Sequence, residues 1–353
     1  MILRISLFMT LIIAAPASVQ AAKVVLVAGG GSGPDRVIQP FAVDFDAAGN
    51  ILFVEMNGGE RLRQISPDGT LSTLAGTGSK GVPGTDGPAL QATFNGMHNL
   101  AVAPNGIIYL ADTFNHRIRV YDPKSKTVKP FAGTGVKGFA GDGGPATEAK
   151  FSQTICIALS RDAKTLYVAD IGNKRVRAID TSSTIVRTVA GTGQAGVPKD
   201  GEPAIEQPLV DPRAVAVDSK GNLYILERGG HALRVVGTDG KIRTVAGTGK
   251  VGKGGDGGPA LKAAFNGPKY LSVDPDDTIL ITDTENHQIR RYIPGKEMIE
   301  LVAGSGKRGA GGLDGPPEKV ELARPHGAIT DPKTGAIYIA DSDNDRVLKI
   351  VKE

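Results

Sequence analysis

The amino-acid sequence predicts an all-β protein: a six-bladed β-propeller of four-stranded antiparallel blades, with the last blade closed by the N-terminal strand. Three observations lead there. One motif recurs six times, mostly at near-constant spacing; the segments between its copies alternate short β-branched runs with Gly/Asn/Asp turns; and the two termini each hold part of one repeat.

The motif is Ala-Gly-Thr-Gly or a close relative, beginning at Ala28, Ala75, Ala132, Ala190, Ala246 and Ala303. By subtraction, successive copies lie 47, 57, 58, 56 and 57 residues apart. A recurring period of this size marks a repeat architecture. Each interval has the same internal order. In one, an apolar run at 214–218 is followed by the Gly221-Asn222 turn and a second run at 223–226 that ends in an acid. A third run at 233–236 and a fourth at 242–245 lead into the next motif. Such runs between tight turns read as an antiparallel meander. One meander cannot bury both faces alone, and radial packing of several also removes long free edges. A linear solenoid needs polar caps, and the sequence shows none.

The termini point to a ring. Three runs, at 327–330, 336–340 and 347–351, follow His326, while Lys23 to Gly30 reads as a fourth run with no preceding three. Joining them completes one sheet. Ahead of that run, residues 1–21 read as a secretory signal peptide, leaving 22–353 as a single propeller domain. Arg4 gives a positive start, Ile5 to Ala15 is apolar, and Val19-Gln20-Ala21 offers small residues at the cleavage positions. The apolar run falls short of the roughly 20 residues of a spanning helix, and no cysteine follows the cleavage point to carry a lipid. The mature chain is therefore expected in a periplasm or outside the cell, without membrane insertion. Cys156 is the only cysteine, so an oxidising compartment brings no internal disulfide. Inside the apolar run 155–159 it reads as a small buried hydrophobe. The net charge of +4 is mild and does not demand nucleic acid as a partner.

Two segments, Ala111-Asp112-Thr113-Phe114-Asn115-His116-Arg117-Ile118 and Thr282-Asp283-Thr284-Glu285-Asn286-His287-Gln288-Ile289, resemble the Asn-His-Leu consensus of the NHL repeat. The resemblance extends over the mature chain in six copies and implies the propeller fold. It leaves function open, because propellers host lyases, lactonases, receptors and scaffolds alike.

Between each motif and the next blade lies an excursion of roughly 20 residues, clearest at 138–146 and marked elsewhere by Asp86, Asp200, Asp256 and Asp314. The acids are too sparse for the 6–8 oxygen ligands of calcium. A structural turn, with each Asp bonding its own backbone, is expected instead. The later half, as in Pro259 to Phe265, suits one helical turn with Leu261 and Phe265 packing inward.

The first strand of each blade lines the channel, and all five histidines map to one face. His116, His231 and His287 fall in turns between second and third strands; the consensus itself places His there, so His116 and His287 read as structural. Aligning the blades puts Phe41, His98, Ile155, Arg213, Lys269 and His326 at the channel entrance. Met97-His98-Asn99-Leu100 and Arg324-Pro325-His326-Gly327 look like the entrances of propeller lyases of the α-amidating and streptogramin type. The α-amidating resemblance implies a zinc held by three alternate-blade histidines. Here the third position is Arg213, which is no metal ligand, so no metal site is assigned. Lactonase-type propellers hold a channel calcium with Glu, Asn and Asp, and the entrance positions have none of these. Arg213, Lys269 and His326 instead form a cationic arc suited to a carboxylate, phosphate or sulfate, with His98 and Phe41 beside it. This mouth is expected to be one side chain deep, with Arg213 on its rim and both histidines titrating near neutrality.

A second ring is acidic: Glu55, Asp112, Asp170, Glu227, Asp283 and Asp341 end the second strands. Six equivalent copies argue for structure over catalysis, which needs differentiated environments. Arg117, Arg175 and Arg346 follow their acids by five residues and are expected to pair with them. Glu227 and Asp283 have Ala232 and Gln288 in that place, which makes them, with His231, secondary site candidates. No catalytic residue or cofactor is assigned. The reading is a binding module for an anionic small molecule, glycan or peptide, with a protein partner also compatible. A metal-dependent lyase or lactonase-type hydrolase at the top of the channel is the alternative.

Overall fold

The computed structural model describes residues 22–30, 36–82 and 87–352. The expected signal peptide and Asp86 lie outside the described residues. Six antiparallel sheets follow one another around a ring. In chain order their first strands are Pro40–Phe45, Met97–Val102, Thr154–Leu159, Pro212–Val217, Tyr270–Val273 and Gly327–Thr330. Blades one to five each run outward through three further strands, as in Pro212–Val217, Leu223–Glu227, Ala232–Val236 and Ile242–Ala246. The sixth sheet takes Ile337–Asp341 and Arg346–Lys352, then Ala22–Gly29, which pairs antiparallel with Arg346–Lys352 from Ala22↔Lys352 to Gly29↔Arg346. Among the described residues, no helix is long and apolar enough to cross a membrane.

Burial follows strand position. Second strands such as Ile51–Glu55, Ile108–Asp112 and Ile279–Asp283 are buried at every residue, because neighbouring blades cover both faces. Fourth strands such as Ile242–Ala246 are buried at their ends and partly exposed between. First strands are laced together by polar side chains. Val102 N donates to Asp44 Oδ2 (3.0 Å), Ile157 N to Asn99 Oδ1 (3.1 Å), Val215 N to Cys156 Sγ (3.5 Å), and Ser272 Oγ to the Ala328 carbonyl (2.8 Å). Cys156 is buried as expected, with its thiol pushed up to about 11 by that burial.

The recurring motif has a steric cause. A β-bulge stands between third and fourth strands in every blade, as at Leu233/Arg234 and Ile289/Arg290. The glycine after it takes a positive φ, +94° at Gly247. A Cβ there would sit 2.3 Å from the His231 carbonyl oxygen, so only glycine fits. The second glycine, as in Gly135, lies against the Arg117 guanidinium.

The excursions run along the outer edge of the blade that follows. Gly87–Pro88 pairs with Thr127–Ala132, and Gly258–Pro259 with Met298–Ala303. Asp314 N donates to the Val24 carbonyl (2.8 Å), and Val24 N to the Gly315 carbonyl (3.0 Å). Free strand edges are thereby covered. The expected Asp-to-own-backbone turn is corrected at several copies. Arg177 Nη2 donates to Asp142 (2.6 Å), Arg290 Nε to Asp256 (2.8 Å) and Thr244 N to Asp200 (2.9 Å), all on third or fourth strands of the following blade. In the later half Phe265 is buried, but Leu261 points to water at 56% exposure; Ala260 and Ala263 take the inward positions.

Candidate functional site

The acidic ring and its turns build the face on which the candidate site lies. Each acid accepts a backbone N–H from the segment leading into its own blade's first strand. The donors are Ile38 to Glu55, Asn95 to Asp112, Ser152 to Asp170, Val210 to Glu227, Asn266 to Asp283 and Ala323 to Asp341, at 2.6–2.9 Å. In four turns an asparagine donates both to the acid and to an excursion carbonyl, as Asn115 does to Asp112 (2.9 Å) and Gly81 O (3.0 Å). The residue after that asparagine is left-handed, with φ +54° at His116 and +55° at His287. His116 Nδ1 accepts from Gln153 N (3.1 Å) and His287 Nδ1 from Arg324 N (3.2 Å), the structural role expected of them.

Two expectations about this ring are corrected. Arg117 and Arg175 donate to the carbonyls of Thr134 and Thr192, across the bulge glycines. Only Arg346 pairs with its acid, Asp341, at 2.7 Å. Glu227 and Asp283 do not lack an arginine: Arg234 reaches Glu227 at 2.8 Å and Arg290 reaches Asp283 at 3.4 Å from further along the third strand. His231 Nδ1 accepts from Gly267 N (3.3 Å). All three secondary candidates therefore hold the framework.

The entrance residues come together as the alignment placed them, but not on a rim. Phe41, His98, Ile155, Arg213, Lys269 and His326 are each at most 9% exposed. Phe41 lies between the two histidines, stacked on His326 (ring centroids 4.0 Å apart) and edge-on to His98 (5.1 Å). His98 Nδ1 is 2.9 Å from the Gly96 carbonyl and His326 Nδ1 is 2.7 Å from the Arg324 carbonyl. A carbonyl only accepts, so the bonding assigns the ring proton to Nδ1 and the lone pair to Nε2 in both. Burial, then Arg213, push His98 down to about 3; burial, then Lys269 and Arg213, hold His326 well below the ordinary histidine range. The expectation of histidines titrating near neutrality is thus corrected.

The cationic arc is also smaller than expected. Lys269 Nζ donates to Glu285 Oε1 (2.6 Å), which also takes Arg324 Nη2 (2.9 Å). Burial would raise the Glu285 carboxyl, but the bonds from Arg324 and Lys269 outweigh it and bring it to about 2. Burial outweighs the same pair on the lysine, whose ammonium is lowered to about 8. Arg213 is different. It is 5% exposed, its Nε has no hydrogen-bond partner, and among the described residues no carboxylate stands within ion-pair distance of it. Burial, then the neighbouring Arg228, lower its guanidinium to about 10. Arg228 itself is held by Asp211 at 2.8 Å. Below the entrance, Tyr270 of blade five and Asn99 of the opposite blade line the lumen. No group of three or more His, Cys, Asp or Glu suited to a metal ion occurs among the described residues.

Glu285 and Arg324 were missed from sequence, although a signal was present: Glu285 stands where the blade-two copy has Phe114.

Residues 265–292 match the NHL repeat. The chain is 28% identical over 283 residues to the Arabidopsis thaliana protein SUPPRESSOR OF QUENCHING 1, chloroplastic, covering 76% of this chain and 26% of that protein. It is 28% identical over 277 residues to NHL repeat-containing protein 2 of Gallus gallus, covering 68% and 36%. The chain thus spans about a quarter to a third of the length of these relatives. Among solved structures, an auxiliary nutrient binding protein from Bacteroides ovatus superimposes with a TM-score of 0.68 at 15% identity, over 95% of this chain and 77% of that one. A streptogramin B lyase superimposes with a TM-score of 0.55 at 13% identity, over 94% and 98%. The class is therefore clear: a six-bladed propeller that carries the NHL repeat and shares its fold with both binding proteins and lyases.

Proposed function

We propose that this chain is an exported binding module that takes an anionic small molecule, glycan or peptide at the Arg213 mouth. The observation that carries the reading is the buried Arg213, whose Nε has no hydrogen-bond partner and whose guanidinium pairs with no carboxylate among the described residues. A buried cation without a counter-charge costs the fold several kcal/mol unless an anion is recruited, and a guanidinium matches carboxylate, sulfate or phosphate in a bidentate fork. Phe41 offers a ring face beside it, and Lys269 adds a second donor once it leaves Glu285. The likeness to auxiliary nutrient binding proteins supports small-molecule binding and a location outside the cytoplasm.

The alternative, a metal-dependent lyase, draws on the free Nε2 positions of His98 and His326. It requires stoichiometric metal, which the binding module does not, so metal analysis of the purified protein separates them. The direct test is calorimetric titration with sulfate, a uronate oligosaccharide and a peptide bearing a free carboxylate. At least one should bind, and Arg213→Met should weaken it by about one to two decades, the loss of one charge-assisted bond. Binding unaffected by Arg213→Met would overturn the proposal.

A further inference from the structure

The opposite end of the channel holds a bowl of about 530 Å³, within the usual range of small-ligand sites. Its throat is a ring made by the fifth residue of each aligned first strand: Phe45, Val102, Leu159, Val217, Val273 and, in blade six, Thr330. A smaller lumen of about 290 Å³ continues from it toward Tyr270, and Asp44 lines both spaces.

Asp44 is the one acid at its level of the wall; the aligned positions in the other blades are Ala101, Ala158, Ala216, Ser272 and Ile329. Its oxygens accept from Phe45 N (2.7 Å) and Val102 N (3.0 Å), which leaves each a second lone pair, and among the described residues no cation pairs with it. The bowl's other carboxylates are engaged. Asn50 holds Asp46, Arg291 and Thr330 hold Asp274, Ser219 holds Asp277, and Thr334 holds Asp331. The two cations of the lining, Arg161 and Lys333, are exposed at the lip, where Lys333 donates to the Ala47 carbonyl. An apolar wall with one unpaired carboxylate at its base is complementary to an apolar body with a cationic head.

We propose that this bowl is a second ligand site, for a small organic cation of the alkylammonium type, with its ammonium on Asp44 and its chain on the Val102–Leu159–Val217–Val273 wall. Burial raises the Asp44 carboxyl to about 6, the environment in which an arriving cation gains most from a charge-assisted bond. Arg213 lines neither space, so the two sites share no residue.

The test is calorimetric or ligand-observed NMR titration of the mature protein with hexylammonium, hexanol and hexanoate. Hexylammonium should bind at one per chain and at least tenfold more tightly than hexanol, with hexanoate weakest. Asp44→Asn should bring hexylammonium down to the level of hexanol. Val217→Trp, which fills the throat without touching Asp44, should abolish binding of both, while Arg213→Met should change neither. If Asp44→Asn does not fold, the wild-type ranking and Val217→Trp decide the matter. Hexylammonium no tighter than hexanoate, or full binding in Val217→Trp, would overturn the proposal.

Discussion

Arg213→Met removes a buried guanidinium that has no partner among the described residues, and keeps much of the side chain's volume. Burial and Arg228 lower that guanidinium from the ordinary arginine range to about 10. At about 1.4 kcal/mol per pKa unit, the unfavourable burial is ~3 kcal/mol. Replacing buried charge with an apolar side chain commonly stabilises by about 1–4 kcal/mol. Allowing for imperfect packing of methionine, the variant should be more stable by about 1–3 kcal/mol, with a melting temperature a few degrees higher. Anion binding should weaken by about one to two decades at the same time. Chemical denaturation in chloride buffer, repeated with sulfate, is the assay. Sulfate at a hundred times the wild-type dissociation constant should add about 2.7 kcal/mol to the wild type and only about 0.4–1.4 kcal/mol to the variant. A variant destabilised by more than about 1 kcal/mol, or stabilised by sulfate as much as the wild type, would refute the view of Arg213 as an uncompensated charge.

Further outcomes follow from the same geometry. Glu285→Gln should release Lys269 and Arg324 and tighten anion binding by up to about tenfold on the scale of 1.4 kcal/mol per decade; unchanged affinity would mean the pair does not compete with ligand. Because burial lowers Lys269 to about 8, its positive charge is present below that value and lost above it. Anion affinity should therefore fall as pH rises through about 8 and stay flat between 5 and 7, where His98 and His326 remain neutral; a step near pH 6.5 would contradict the burial of the histidines. Asp112→Asn should cost about 2–4 kcal/mol in denaturant unfolding, since an amide then faces the Asn95 N–H and Asn115 amide donors; retained stability would show the ring is not structural. Deleting residues 22–30 strips the outer strand from Arg346–Lys352 and should abolish cooperative unfolding; an unchanged melting curve would sink the closure role.

Much of the fold was legible because it depends on local chemistry repeated six times. Ala-Gly-Thr-Gly marks a bulge and a collision at the Cβ of its first glycine, so the spacing of Ala75, Ala132, Ala190, Ala246 and Ala303 counts blades directly. The entrance residues were legible for the same reason: one alignment places all six. What stayed hidden depends on partners distant in the chain. Arg177 and Arg290 reach acids 35 and 34 residues away in the excursions, which no periodicity reveals. Arg117 was matched to the acid nearest in sequence, but the fold turns it across Gly135 to the Thr134 carbonyl. The depth of burial at Arg213 and the two histidines, and with it their charge state, depends on all six blades at once. The bowl around Asp44 was missed because its wall residues are ordinary strand residues, and only ring closure makes them face one another.

The central claim is that Arg213 receives an anion. Crystals of the protein soaked in selenate, with anomalous scattering measured at the selenium edge, test it most directly. Selenate oxygen should lie within hydrogen-bond distance of the Arg213 guanidinium in the wild type, and that peak should be strongly reduced in Arg213→Met. Selenate found only on exposed lysines, with nothing at Arg213, would contradict the account.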